Sequence, residues 1–322
     1  MTYNAAAVEA LVAIADHGTF DAAARALHVT PSAVSQRIRA LEREVGQVVV
    51  RRGTPCLPTA AGQTLVRLGR QARMLDAEAR AALAEEGRLI QVTVAVNADS
   101  LATWFRDVLS EVALQGQVVL RLVVEDQAYS AQLLRSGEAL AAVTSDPHPV
   151  QGCRSEHLGF LRYRPAATPE LAARWRKGNG HDWQRMPVVV FNAKDALQHD
   201  VLSARGVTEP DTVHLVPTSA DFHEAVRRGL GWGMLPEPQL RPDLEAGRLV
   251  TLGGRTHHDV HLHWQRWRID STALATLSDV VRRAARAHLR DHRAMAAAQR
   301  EAPPVETGGA SPRRGLQLRE ET

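Results

Sequence analysis

The stretch TFDAAARALHVTPSAVSQRIRALEREVG, Thr19–Gly46, decides how the rest of the chain is read. A short helix over Phe20–Leu27 is entered through Thr19, and His28-Val29 turns the chain. Thr30 is then an N-cap, with Pro31 at the first helical position, where its fixed φ and missing N–H do no harm. The helix it opens runs to Val45 and stops at Gly46, a glycine C-cap. Val34, Ile38, Leu41 and Val45 are spaced by four, three and four, so they share one buried face. Ser32, Ser35, Gln36, Arg39 and Arg43 fall on the other side. An apolar stripe that locks a helix to its scaffold, with short polar and arginine side chains facing out, predicts a helix-turn-helix reading a major groove. Three helices of an ordinary bundle are the alternative; pattern, caps and charge agree on DNA binding.

Outward from that motif, Asn4 caps a helix over 4–16 whose apolar face is Ala7, Val8, Leu11, Val12, Ile14 and Ala15. On the other side, VVVRRGTP at Val48–Pro55 reads as a β-ribbon wing, with Arg51 and Arg52 placed to reach the DNA backbone or minor groove. The candidate DNA-contacting set is Thr30, Pro31, Ser32, Ser35, Gln36, Arg37, Arg39, Arg51 and Arg52. Charge supports it. Met1–Arg73 carries nine arginines against five acids, whereas Leu89–Asp270 carries 19 basic and 21 acidic residues. A basic head on a mildly acidic body implies that the head alone meets a polyanion.

From Ala60 to Glu86 the pattern is one long helix. Leu65, Leu68, Ala72, Leu75, Ala79 and Ala82 repeat at three-four spacing, the seam of a coiled coil. Outside that seam the helix has little else to pack on, which predicts a homodimer through it; an amphipathic helix packed on its own domain is the alternative.

The 322 residues, 44% hydrophobic and 23% charged, suffice for two or three domains and exclude wholesale disorder. No window approaches the roughly 18 apolar residues of a membrane span. The N-terminus does not read as a secretory signal, and two cysteines cannot make a disulfide scaffold, so a reducing cytoplasm is expected. Beyond residue 88 strands and helices alternate. Strands are expected at Leu89–Val96, Val118–Val124, Ala139–Thr144, Pro187–Phe191 and His214–Val216. Helices are expected at Ser100–Leu114 and Ser130–Ser136, near Ala193–Arg205, and at Ser219–Arg228. Such alternation implies an α/β body of open, mostly parallel sheets that bind ligands at the carboxyl ends of their strands. After Pro303 the pattern gives way to Pro, Gly and charge.

These residues resemble a LysR-type transcriptional regulator up to about Arg293. Thr19–Gly46 is close to that family's helix-turn-helix signature, PTAAG at Pro58–Gly62 to its approach to the linker helix, and VRRGLGWGMLP at Val226–Pro236 to a glycine-bracketed strand of its effector domain. VNADSLATW at Val96–Trp104, VVEDQ at Val123–Gln127 and FNAKDALQ at Phe191–Gln198 resemble the ArgP/LysG-like branch, whose members sense basic amino acids and control export of lysine or arginine. The family has a leucine-phenylalanine pair where this chain has Val49-Val50, a change in wing packing.

The resemblance implies an all-α winged helix-turn-helix domain (1–59), a long dimerisation helix (60–88) and an effector domain (89–295). That domain would have two Rossmann-like lobes, like a type 2 periplasmic binding protein: 89–161 with 260–293, and 162–259. Residues 296–322 would be a disordered tail. It further implies promoter DNA and RNA polymerase as partners, a homodimer or homotetramer, activation of a lysine-export gene, and L-lysine or L-arginine as effector.

A basic amino acid needs acids for its cations and amide N–H groups for its carboxylate. Ser100, at a helix start and suited to an N-cap, offers its hydroxyl with Asn97 beside it, and the unpaired N–H groups of that first turn would hold the carboxylate. Asp99, Glu125, Asp126, Asp146 and Asp195 are acids at strand ends or loop starts. Thr144, Ser145, Asn192 and Ser219 complete a hydrogen-bonded cleft. For each single acid a solvated or structural role stands beside the binding one. Trp104 is expected to pack under the first helix of the body.

His257, His258, His261 and His263 lie in a strand-like segment, and three of them are spaced to approach a metal. No carboxylate or thiolate motif completes a site, so no metal and no cofactor are expected. Cys56 in the wing and Cys153 in a body loop do not form a sensing pair. There is no P-loop, no GxGxxG and no nucleophile elbow. An enzyme or solute-binding protein is therefore disfavoured, and no catalytic residue is assigned. A LysR-type regulator with a different effector, or an architectural nucleoid protein of low sequence preference, remain as alternatives.

Overall fold

The structure, a computed structural model, describes residues 3–83, 89–124, 127–192 and 195–290. The expected tail at 296–322, and Glu125 and Asp126, lie outside the described residues.

Three helices open the chain: α1 (Ala5–His17), α2 (Phe20–Ala26) and α3 (Pro31–Val45). Each start carries the cap its sequence predicts: Asn4, Thr19 and Thr30 accept the N–H of Ala7, Ala22 and Ala33. Gly18 and Gly46, both at positive φ, end α1 and α3. Val34, Ile38 and Leu41 are fully buried against Leu11 and Ile14. Strands β1 (Val50–Arg51) and β2 (Leu57–Pro58) pair antiparallel as the wing. Val49 and Val50 are buried in the head core. The linker helix α4 (Ala60–Leu83) starts hard against the wing. A Cβ on Gly62 would lie 2.0 Å from the Val49 carbonyl oxygen, so only glycine fits there.

α4 differs from the expected free seam. Leu65 and Val66 are part of the head core and Met74 part of the body core, so the helix does pack on its own chain. The later seam positions Ala72, Leu75, Ala79 and Ala82 are exposed, Leu75 at 43%.

The body begins with β3 (Ile90–Val96), α5 (Ala98–Ala102), α6 (Phe105–Gln115), β4 (Val118–Val124), α7 (Gln127–Ser136) and β5 (Ala141–Thr144). β3 pairs parallel with β4 and β5. The single helix expected over Ser100–Leu114 is two. Thr103 Oγ donates to the Asp99 carbonyl at 2.6 Å and its backbone leaves the helical region, breaking α5 from α6. Trp104 opens α6, fully buried and edge-on to Phe105.

β6 (Cys153–Ala167) follows, a fifteen-residue strand. Next come α8 (Pro169–Arg174), β7 (Arg176–Lys177), β8 (Gly180–His181), β9 (Val188–Val190), α9 (Ala196–Ser203) and β10 (Val213–Leu215). α10 (Ser219–Arg227), β11 (Gly233–Pro236), α11 (Glu237–Glu245), β12 (Val250–Thr251), β13 (His258–Trp267) and α12 (Thr272–His288) complete the described chain. The main sheet runs β11-β6-β13-β5-β3-β4, with β12 also on β6. β13 lies antiparallel to both β5 and β6, so the sheet is mixed rather than mostly parallel. The reason is that β13 enters the same sheet between β5 and β6, running against both. β9 and β10 form a separate parallel pair.

Cys153 starts β6 rather than lying in a loop, and burial pushes its thiol up to about 11. Such a thiol is inert at neutral pH. Among the described residues no helix is long and apolar enough to cross a membrane, and no group of three or more ligating side chains has metal-binding geometry. The histidines that do meet are His157, His261 and His263, with His157 Nε2 3.1 Å from His261 Nδ1. His257 and His258 instead face Asp259 and Asp200.

Candidate DNA interface and effector cleft

The outer face of α3 presents Ser32, Gln36 and Arg39 to solvent, with Pro31 at its tip and Ser35 half-buried beside them. Thr30 Oγ is 2.9 Å from Ser32 Oγ, so the cap and the first outward side chain are tied together. Arg37 is half-buried, one residue round the helix from that stripe. On the wing Arg51 is exposed, and Arg52 lays its guanidinium over the Phe20 ring at 5.4 Å. That contact orients Arg52 while leaving its donors outward.

In the body a second site forms where the carboxyl ends of β3 and β5 meet the N-terminal ends of α5, α9 and α10. Asn97, not Ser100, caps α5: its side-chain oxygen accepts the Ser100 N–H at 2.7 Å. Asn97 holds that place because it is the last extended residue before the turn, and Ser100 sits one turn in. Ser100 is fully buried, and its hydroxyl has no protein partner. Asp99, between them, accepts from Tyr163 Oη at 2.8 Å and from Ser219 Oγ at 2.7 Å. Ser219 opens α10 behind the cap Thr218, and Gln239 Nε2 reaches its hydroxyl at 3.4 Å. Two residues beyond the Ala95–Ala142 pairing, Asn97 and Thr144 come level on adjacent parallel strands. Thr144 is buried.

Asp195 caps α9, accepting the N–H groups of Leu197 and Phe191 at 3.1 Å each. Burial, reinforced by the Asp99 charge, holds its carboxyl above the usual carboxylate value. Gln198, also buried, bonds to it. Asn192 lies just before, its carbonyl accepting the Asp195 N–H at 3.1 Å. The cleft thus holds two carboxylates that feel each other, among the N-termini of α5, α9 and α10. Burial and the adjacent Asp99 raise the Tyr163 phenol well above its ordinary value, so it stays a donor.

Asp146 is not in this group. Its carboxylate accepts from the His148 N–H and ring, which hold it below the usual range, and it faces solvent. Tyr163, Gln198 and Gln239 were absent from the sequence reading. Tyr163 had a detectable signal: it stands between two arginines on a strand that alternates inward and outward side chains.

A winged helix-turn-helix joined by a linker helix to an α/β body with a polar cleft defines a ligand-responsive transcriptional regulator. The chain belongs to the LysR family. Residues 6–63 match the bacterial regulatory helix-turn-helix protein model of that family, and 90–286 match the LysR substrate binding domain. It is therefore a DNA-binding regulator of the LysR type and not an enzyme.

Its relatives narrow the branch. The chain is 49% identical over 285 residues to the lysine export transcriptional regulatory protein LysG of Corynebacterium efficiens, covering 88% of this chain and 98% of the relative. It is 39% identical over 277 residues to the transcriptional regulator ArgP of Pseudomonas fluorescens strain Pf-5, covering 84% and 93%. Full-length LysG of Corynebacterium glutamicum, solved with bound effector Arg, superposes with a TM-score of 0.78 at 44% identity, over 89% of this chain and 99% of that one. ArgP of Mycobacterium tuberculosis superposes with a TM-score of 0.81 at 43% identity, over 89% and 98%.

Proposed function

We propose that this chain senses L-arginine or L-lysine in the cytoplasm and controls a gene for export of basic amino acids. The observation that carries the reading is the Asp99–Asp195 pair. Two carboxylates lie in one cleft, and burial together with the Asp99 charge holds Asp195 above the usual carboxylate value. A ligand that brings two cations offsets that repulsion, and its carboxylate meets the first-turn N–H groups of the flanking helices. The LysG structure with bound arginine supports this choice of ligand.

Ser32, Ser35 and Gln36 read base edges, while Arg37, Arg39, Arg51 and Arg52 hold phosphates. Thr30 and Pro31 set the pose of the recognition helix. The exposed half of the α4 seam joins two copies, and dimers pair into a tetramer at the promoter, where the regulator meets RNA polymerase. Ligand binding draws together α5 and α10, joined by Asp99 and Ser219, and shifts the population toward one spacing of the heads on bent DNA.

Titration calorimetry of the full chain with L-arginine, L-lysine and L-leucine tests this. Saturable binding of a basic amino acid, weakened roughly 10- to 100-fold in Asp99→Asn, is expected. Binding of none, or of leucine equally, overturns the effector assignment and leaves the DNA-binding regulator standing.

A further inference from the structure

The linker helix α4 touches head and body through one side chain in particular. Arg70 is 11% exposed, and its guanidinium fork is spread across both parts. Nη2 donates to Asp16 Oδ1, near the end of α1 in the head. Nη1 donates to the Ser136 carbonyl at 2.9 Å and to Glu138 Oε1 at 3.3 Å, at the end of α7 in the body. The turn there is made by a glycine because its backbone is left-handed, and it lies in van der Waals reach of α4. Gly137 has φ +75°, and a Cβ on it would already touch Arg67 Cα at 3.4 Å and Arg70 Cβ at 3.6 Å. Arg73 adds a second, longer tie to Asp16 at 3.5 Å.

Three further facts give this contact a direction. α7 follows β4, whose carboxyl end lies at the ligand-binding edge of the sheet, and its ten residues span about 15 Å. Its other end is the Ser136–Glu138 turn that Arg70 holds. Beside Arg70 the joint is open: a cleft of about 900 Å³ lies between head and body, lined by Asp16, Arg73, Met74, Arg121 and Leu133 among others. Polar ties across such a gap can re-form after a small shift, whereas a close-packed apolar joint resists one.

We propose that Arg70 is the positioning residue that couples the effector cleft to the DNA-binding head, by fixing α1 to the α7 end through one guanidinium. This rests on the effector reading above, so its test carries an arm independent of it. In the full-length protein, the ratio of operator Kd with and without L-arginine measures the coupling. Arg70→Ala is expected to bring that ratio within about twofold of one while leaving the L-arginine Kd in the absence of DNA unchanged within about twofold. Glu138→Gln, a milder change at an exposed residue, is expected to reduce the ratio in the same direction. Arg70→Lys restores it in part, because an ammonium keeps the charge but not the fork. A wild-type ratio in Arg70→Ala and Glu138→Gln overturns the proposal while the effector reading stands. Should wild type bind neither basic amino acid, the effector reading fails and hydrogen exchange decides on Arg70. There, Arg70→Ala is expected to speed exchange at the Gly137 and Ala139 amides roughly tenfold. Unchanged exchange overturns the coupling role.

Discussion

Asp99 and Ser219 stand 120 positions apart in the chain and 2.7 Å apart in the fold. One lies in the first turn of α5, the other opens α10, so a single hydrogen bond ties those two helices together. Tyr163, on the long strand between them, holds the other oxygen of the same carboxylate. Replacing Asp99 by Asn removes the charge and keeps the shape. Affinity for L-arginine should fall roughly 10- to 100-fold, the worth of a hydrogen bond to a charged group. DNA affinity without ligand should stay as in wild type, which fluorescence anisotropy checks beside calorimetry.

Asp195 sets a pH dependence. Its folded-state pKa is raised above the ordinary 3.8, chiefly by burial. The folded protein therefore holds more protons than the unfolded one between 3.8 and the raised value, and stability from this group falls as pH rises through that window. A bound cation favours the ionised form, so affinity for a basic amino acid should rise with pH across the same window. Binding in mildly acidic buffer should release protons, seen as a dependence of the calorimetric heat on buffer ionisation enthalpy. Asp195→Asn should abolish that dependence.

His263 acts with the opposite sign. Burial and the neighbouring His157 and His261 lower its pKa below 6.5. The unfolded chain then binds the extra proton first, so stability is full above 6.5 and declines as pH falls toward the lowered value. Thermal melts of His263→Gln should show a flatter decline over that range than wild type.

The proposed roles in the head separate positioning from reading. Arg51→Ala should weaken binding to every DNA sequence alike and lower the salt slope by about one ion. Gln36→Ala should relax sequence preference, at about 1–3 kcal/mol for the base it reads. Competition titrations with operator and random duplex at several salt concentrations distinguish the two.

Leu75, exposed on α4, provides the test of assembly. Leu75→Glu should weaken self-association by about tenfold or more through loss of apolar burial and charge repulsion across the seam. Sedimentation equilibrium reads this directly.

Legibility followed sequence distance. The head was readable almost to the residue because its signals are local: Asn4, Thr19 and Thr30 as caps, Gly18 and Gly46 as stops, and an apolar stripe at helical spacing. In the body, β3, β4, β5, β9 and β10 were readable too, whereas the two-residue strands β7, β8 and β12 were not. β6 was not, because Arg154, Glu156, His157, Arg162 and Arg164 interrupt its apolar positions and the pairing with β13 shifts register at Leu262/His263. Missing β6 meant missing Tyr163. Asp99, Asp195 and Ser219 were identified individually, but nothing local shows that a carboxylate in α5 meets a hydroxyl in α10. The α5 cap was misplaced by three residues because Asn97 and Ser100 both suit a helix start; only the 2.7 Å contact between them decides which one holds it.

The order in which the sheet is strung has a consequence for synthesis. β13 lies between β5 and β6, so the main sheet of the body lacks the strand that joins its two halves until residue 267 has left the ribosome. The head needs nothing beyond the first part of α4 to bury its core. During translation each nascent chain therefore passes through a stage with a finished DNA-binding head and an unfinished sensor. Chains interrupted after the linker helix would emerge as binders without a sense of ligand, able to occupy operators that the complete protein must respond at.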